Sequence, residues 1–184
     1  MIQTPASTRR REAGFTLVEL LLVVTIIGII AAIAIPSLSR ARAAAMEVST
    51  IGSLRAISTA QTVYHTTCAG GFYAPSIPWL ATPPTKGGAT FIGREFITDT
   101  TTRQGYSIRF SLGTRGAAAP KTCNGLAAGQ AANTYFVGAD LRQATGGVVS
   151  RYFGINQAGT IYQSTKRVVP FYSGAPPAPA RPIG

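Results

Sequence analysis

One carboxylate, Glu19, sits inside an apolar run that extends from Phe15 to Ile35. A charge in a membrane-length segment costs a few kcal/mol unless it is paired or neutralised. The nearest cation before it is Arg11, two turns back. Hydrolysis of the Gly14–Phe15 bond would create a closer one, because the new α-amino group of Phe15 lies four residues from Glu19. Within one chain the carboxylate could pair with its own terminus. Between staggered chains it could pair with the terminus of a neighbour. In a low-dielectric setting that attraction amounts to several kcal/mol before desolvation is subtracted. An otherwise unpaired buried charge would then select for assembly in one register.

The other reactive residue types form no catalytic pattern. His65 is the only histidine, and no acid or nucleophile is spaced with it for base catalysis. Four acidic residues follow Pro36, namely Glu47, Glu95, Asp99 and Asp140, with no motif uniting them. No zinc-type spacing or phosphate-cradling glycine motif occurs, so no catalytic residue, metal or cofactor is expected. The two cysteines, Cys68 and Cys123, most simply form one disulfide if the domain is exported, with two buried free thiols as the alternative. Closing a loop of that length would stabilise the fold by roughly 4 kcal/mol in the chain-entropy model.

The net charge is +11 over 184 residues, and +10 remains after residue 35. Such a surface attracts nucleic acid, acidic polysaccharide or anionic lipid. The arginines are scattered singly, however, and no base-stacking aromatic module accompanies them.

These residues must be positioned by a few elements. Residues 15–35 span about 31 Å as a helix, which matches a bilayer core. Arg9, Arg10 and Arg11 precede them, so the positive-inside rule places the N-terminus in the cytoplasm. A cleaved secretory signal, a twin-arginine signal and a plain single-pass anchor all compete, but none explains Glu19. Pro36 would kink the helix. Beyond it, Val48, Ile51, Leu54, Ile57, Gln61 and Tyr64 keep a three- and four-residue rhythm, while Arg40, Arg42, Glu47, Arg55 and Ser58 take other positions. This predicts an amphipathic continuation to about His65. Ala41, Ala43, Ala44 and Ala45 would permit close helix–helix approach.

Residues 69–105 read as loop, with Trp79 as a core anchor. Alternation predicts strands at 105–112, 134–141, 151–155 and 160–164, the last two joined by a hairpin turn at 156–159. The tail 173–184 is Pro-rich and reads as extended or disordered.

The stretch 14-GFTLVE-19, preceded by a short basic leader and followed by an apolar run ending at Pro36, resembles the processing motif of type IV pilins and type II secretion pseudopilins. The resemblance covers residues 9–66. It implies that a membrane prepilin peptidase cuts after Gly14 and methylates the amine of Phe15, and that Glu19 is the assembly carboxylate. It also implies that Gly28 and Pro36 bound a stretch of helix that unwinds in the fibre. The implied partners are copies of the chain and related pilins, the peptidase, an inner-membrane assembly platform and the lipid bilayer.

The expected fold is α+β and pilin-like: a long N-terminal helix packed on a roughly four-stranded antiparallel sheet. The expected organisation is a leader 1–14, a transmembrane segment 15–35, an amphipathic continuation 36–66, a head 67–172 outside the inner membrane, and the tail 173–184. The expected function is a structural, non-enzymatic filament subunit of a pilus or secretion pseudopilus. A DNA-binding minor pilin, using loop arginines such as Arg94, Arg103 and Arg115, is one alternative. A membrane-anchored periplasmic enzyme is the other.

Overall fold

A computed structural model describes residues 14–142 and 151–183. The expected leader lies outside the described residues except for Gly14. Helix α1, Leu17–Thr67, follows at once. Thr16 starts it: its Oγ1 accepts the Glu19 N–H at 3.1 Å, and its carbonyl accepts the Leu20 N–H at 3.2 Å. That is an N-cap, with the side-chain oxygen satisfying an otherwise unpaired amide of the first turn. The helix runs through Gly28 and Pro36 without interruption. Pro36 has no N–H, so the carbonyl of Ala32 lacks its normal helical donor.

The chain divides into two compact units, one ending at Leu38 and one beginning at Ser39. The first contains a helical window long and apolar enough to cross a membrane, none of it buried.

In the second unit α1 buries Ala43, Glu47, Thr50, Leu54, Ile57, Ala60, Gln61 and Tyr64. Val48, which the sequence rhythm assigns to this face, is 69% exposed, and Glu47 replaces it inside. The reason is a specific partner: Glu47 accepts two hydrogen bonds from the guanidinium of Arg151 and one from its backbone N–H. A charge enters an interior when paired and hydrogen-bonded. Gln61 is fully buried and satisfied, donating to the Ala74 carbonyl at 3.0 Å and accepting the Ala74 N–H at 2.9 Å.

The sheet has six antiparallel strands rather than four, in the order β1 (Thr100–Arg103), β2 (Tyr106–Leu112), β3 (Tyr135–Leu141), β4 (Tyr152–Asn156), β5 (Ile161–Ser164) and β6 (Arg181–Pro182). Its inner face contributes Tyr106, Ile108, Tyr135, Val137, Phe153 and Ile155 to the core shared with Leu54, Ile57 and Tyr64. The two additional strands are edges. β1 is polar and pairs Thr100 with Arg109. β6 arises from the Pro-rich tail and pairs Arg181 with Gln163 and Pro182 with Tyr162. A proline is tolerated there because an edge strand leaves one row of groups unpaired. The stretch read as loop also holds a short helix α2, Ile77–Leu80, whose Ile77 N–H donates to Asp99 Oδ1 at 2.6 Å. Trp79 is half-buried between the main core and a smaller cluster of Ala119, Leu126 and Ala131.

The outer face is covered as well. Phe136 points away from the main core and packs with Val168 and Phe171. A Cβ at Gly154 would stand 2.9 Å from both Phe136 Cε2 and Val168 Cγ1, so only glycine lets the ring lie on β4. The β4–β5 turn is closed by Asn156 Oδ1 accepting the Ala158 N–H, with Gly159 at φ +77.

Two core phenols give the fold a base-sensitive limit. Burial pushes Tyr106 up to about 12, with the Glu47 charge adding to it, and burial likewise pushes Tyr135 up to about 12. The folded state therefore holds protons that the unfolded chain releases near pH 10, so stability is intact below pH 10 and falls as pH rises toward about 12. The loss should be on the order of 2 kcal/mol per tyrosine. Urea midpoints across that window will show it, and Tyr135→Phe should flatten the slope. A midpoint independent of pH there would contradict this.

Candidate functional site

The N-terminal segment combines three features in six residues. Gly14 and Phe15 precede the helix in non-helical backbone, and Phe15 is exposed. Among the described residues no atom lies within 4 Å of where a Gly14 Cβ would stand, so none of them covers the Gly14–Phe15 bond. Thr16 then caps α1, and Glu19 occupies the third helical position with its side chain exposed. An acidic residue in a first turn interacts favourably with the positive end of the helix. The pattern 16-TLVE-19 is a capping-box sequence, and that signal identifies Thr16, which charge and spacing alone passed over. Nearly every apolar side chain from Phe15 to Ile35 is exposed, and Gly28 contacts nothing beyond its own helix.

The second unit leaves one face of α1 uncovered. Ala41, Ala45, Val48, Gly52 and Ala56 are exposed at intervals of three and four residues. No atom lies within 4 Å of a Cβ placed at Gly52.

At the other end of the helix, Cys68 and Cys123 are joined by a disulfide. Beside it Asn124 is a hub: its Oδ1 accepts from Tyr64 and Thr122, and its Nδ2 donates to the carbonyls of Trp79 and Thr82. His65 stacks at 4.6 Å on Tyr73, away from any carboxylate contact.

Three of the four acidic residues after Pro36 are spent on structure, and the fourth, Glu95, is exposed. Glu47 is held by Arg151. Asp99 caps α2. Asp140 is held by Arg109 and Arg167. No group of three or more His, Cys, Asp or Glu that could hold a metal occurs among the described residues. The three loop arginines go to different tasks. Arg103 lies over the Phe96 ring, Arg115 donates to Gln130, and Arg94 lines a surface hollow with Ile92 and Ile97. None of these contacts joins one arginine to another.

Residues 9–35 match the family model of the prokaryotic N-terminal methylation motif. The chain is also 49% identical over 51 residues to the type IV major pilin protein PilA of Myxococcus xanthus (strain DK1622). That match covers 28% of this chain and 23% of the relative. No solved structure matches. Together with the capped apolar helix that follows Gly14 and Phe15, these two likenesses make the N-terminal segment of the chain similar to that of a type IV pilin.

Proposed function

We propose that the protein is the subunit of a type IV pilus-like filament, made as a precursor and cut between Gly14 and Phe15 by a prepilin peptidase that then methylates the new amine. The observation that carries this reading is the exposed apolar helix that begins immediately after an uncovered Gly14–Phe15 bond. A surface that apolar is stable only in lipid or against other helices. Before assembly the bilayer covers it, with Arg9–Arg11 on the cytoplasmic side and the second unit outside the inner membrane. In the fibre, copies of the helix cover one another. The uncovered stripe from Ala41 to Ala56 extends that contact into the second unit, because small side chains let helix backbones approach closely.

Cleavage also changes the electrostatics of the helix start. A free amine at Phe15 adds positive charge beside the positive end of α1, and Glu19 is the carboxylate that offsets it. When chains pack with a stagger, the same carboxylate can face a neighbour's amine, which sets register. Gly28 and Pro36 are the two weak points of the helix interior, and a stretch between them would unwind at least cost. The name of the relative favours a pilus over a secretion pseudopilus.

The test is an intact mass of the protein from the membrane or the sheared surface fraction. The expected mass is that of a chain starting at Phe15 plus one methyl group. A chain beginning at Met1 or Ile2 would reduce the protein to an ordinary anchor. A start near Ile35 would remove both the helix and this reading.

A further inference from the structure

A cavity of about 240 Å³ lies between the start of β4, the end of β5 and the tail strand, lined by Arg151, Gln163, Ser164, Thr165, Pro179 and Arg181. No carboxylate is among them. Some of the polar groups in this lining are already hydrogen-bonded and others are not. Arg151 is committed to Glu47 through Nε and Nη2, and its Nη1 donates to Gln163 Oε1. The amide oxygen of Gln163 is therefore used, and its two amide hydrogens are not. Ser164 Oγ accepts the Lys166 N–H and keeps its own proton to donate. The Thr165 hydroxyl has no partner within the described residues, and neither has the guanidinium of Arg181, with its five donors. Side chains with donors to spare, from β5, the residue after it and β6, thus line one volume with no carboxylate in its lining, the exposed Thr165 and Arg181 at its open side. Glu47 already neutralises Arg151, and among the described residues no carboxylate pairs with Arg181.

We propose that this cavity is a binding site for a tetrahedral oxyanion, phosphate or sulfate, free or carried as a monoester. Arg181 supplies the charge and the planar pair of donors that suits such a group. Gln163 and Thr165 supply neutral donors from the other side, and Arg151 fixes the Gln163 amide in its donating orientation. The occupant would also bridge the tail to the sheet. β6 is held to β5 by two residue pairs and by the Ile183 N–H on the Ile161 carbonyl. A second cavity of about 160 Å³ lies beneath the same tail, between Val168 and Pro176 to Ala180. The tail is thus loosely packed, and an anion shared between Arg181 and Thr165 would fasten it.

Equilibrium dialysis of radiolabelled inorganic phosphate against the full chain in detergent, with ionic strength held constant by chloride, tests the site. One saturable site per chain is expected. Arg181→Ala should weaken it by roughly tenfold or more, and Thr165→Val by about threefold. Arg94→Ala, a cation lining a different hollow, should leave it unchanged. Phosphate should also raise the melting temperature of the native chain by mass action, and not that of Arg181→Ala. Sulfate should compete. If glucose 6-phosphate competes as well, the site takes esters; if it does not, the site takes the free anion alone. Absence of saturable binding would overturn the proposal. So would equal weakening by Arg94→Ala and Arg181→Ala, which would show diffuse accumulation of anions on a basic surface.

Discussion

Glu19→Ala should abolish fibre formation while leaving a cleaved, membrane-inserted subunit at normal abundance. The structure makes the companion substitution more informative. On the proposed function Glu19 has two separable tasks at the third position of α1. One is local: a residue that can hydrogen-bond and complement the helix start behind the Thr16 cap, where glutamine serves nearly as well as glutamate. The other is to present a negative charge to an amine, which glutamine cannot do. Glu19→Gln therefore separates them. If the charge sets register, Glu19→Gln fails to assemble as completely as Glu19→Ala, since either leaves the neighbour's amine unpaired in a low-dielectric setting at a cost of several kcal/mol per subunit. If the residue only starts the helix, Glu19→Gln assembles normally and Glu19→Ala loses roughly 1 kcal/mol of helix stability. Sheared surface fractions report the fibre, and an intact mass of the membrane fraction reports cleavage. Normal fibres from Glu19→Gln would sink the register argument and leave the cleavage argument standing.

Arg151→Ala should destabilise the second unit far more than an ordinary substitution at a half-exposed position. It strips Glu47 of both side-chain hydrogen bonds and leaves only the backbone N–H of residue 151 at 3.1 Å. The Glu47 carboxylate is mostly inaccessible, with 10% of its side chain exposed, whereas the Arg151 side chain is 46% exposed. Removing one partner of a fully buried pair costs roughly 3–5 kcal/mol, and the solvent around Arg151 reduces that to about 2–3 kcal/mol here. The guanidinium also lies over the Phe153 ring and holds the Gln163 amide, so its loss loosens two strands. Urea unfolding of Arg151→Ala, Glu47→Met and the double variant gives the coupling. Glu47→Met combined with Arg151→Ala should recover part of the loss, because the buried charge is gone. A single variant within about 0.5 kcal/mol of the parent, the range of an ordinary surface change, would mean that the pair contributes nothing.

The same pair marks a limit of reading this chain from its residues. Position 47 carries a charge and position 48 a valine, so hydrophobic rhythm assigns Val48 to the interior. The helix turns the other way by one residue because Arg151, more than a hundred positions later, meets Glu47 there. Nothing local encodes that contact. The strands with apolar alternation, such as Tyr106, Ile108 and Phe110, were legible for the opposite reason, since each needs only a core on one side. The edge strands were not: Thr100–Arg103 offers no apolar alternation, and Arg181–Pro182 sits in a proline-rich tail whose pairing depends on an open edge of β5. The N-terminal helix was the most legible part, because its charge and apolar run stay exposed and depend on no distant residue among those described. Thr16 was the exception there, hidden behind the more conspicuous Glu19.

The Cys68–Cys123 bond has a mechanical consequence. It closes a sequence separation of 55 residues at the point where α1 leaves its helical path. A pull between α1 and strands β3 to β6 is carried across that covalent link, and the intervening residues, β1 and β2 included, stay out of the line of tension. With the thiols reduced, the same pull could pay out roughly 180 Å more chain, at about 3.3 Å per residue. Oxidation thus limits what can be drawn out between α1 and β3 to the short segment that follows Cys123.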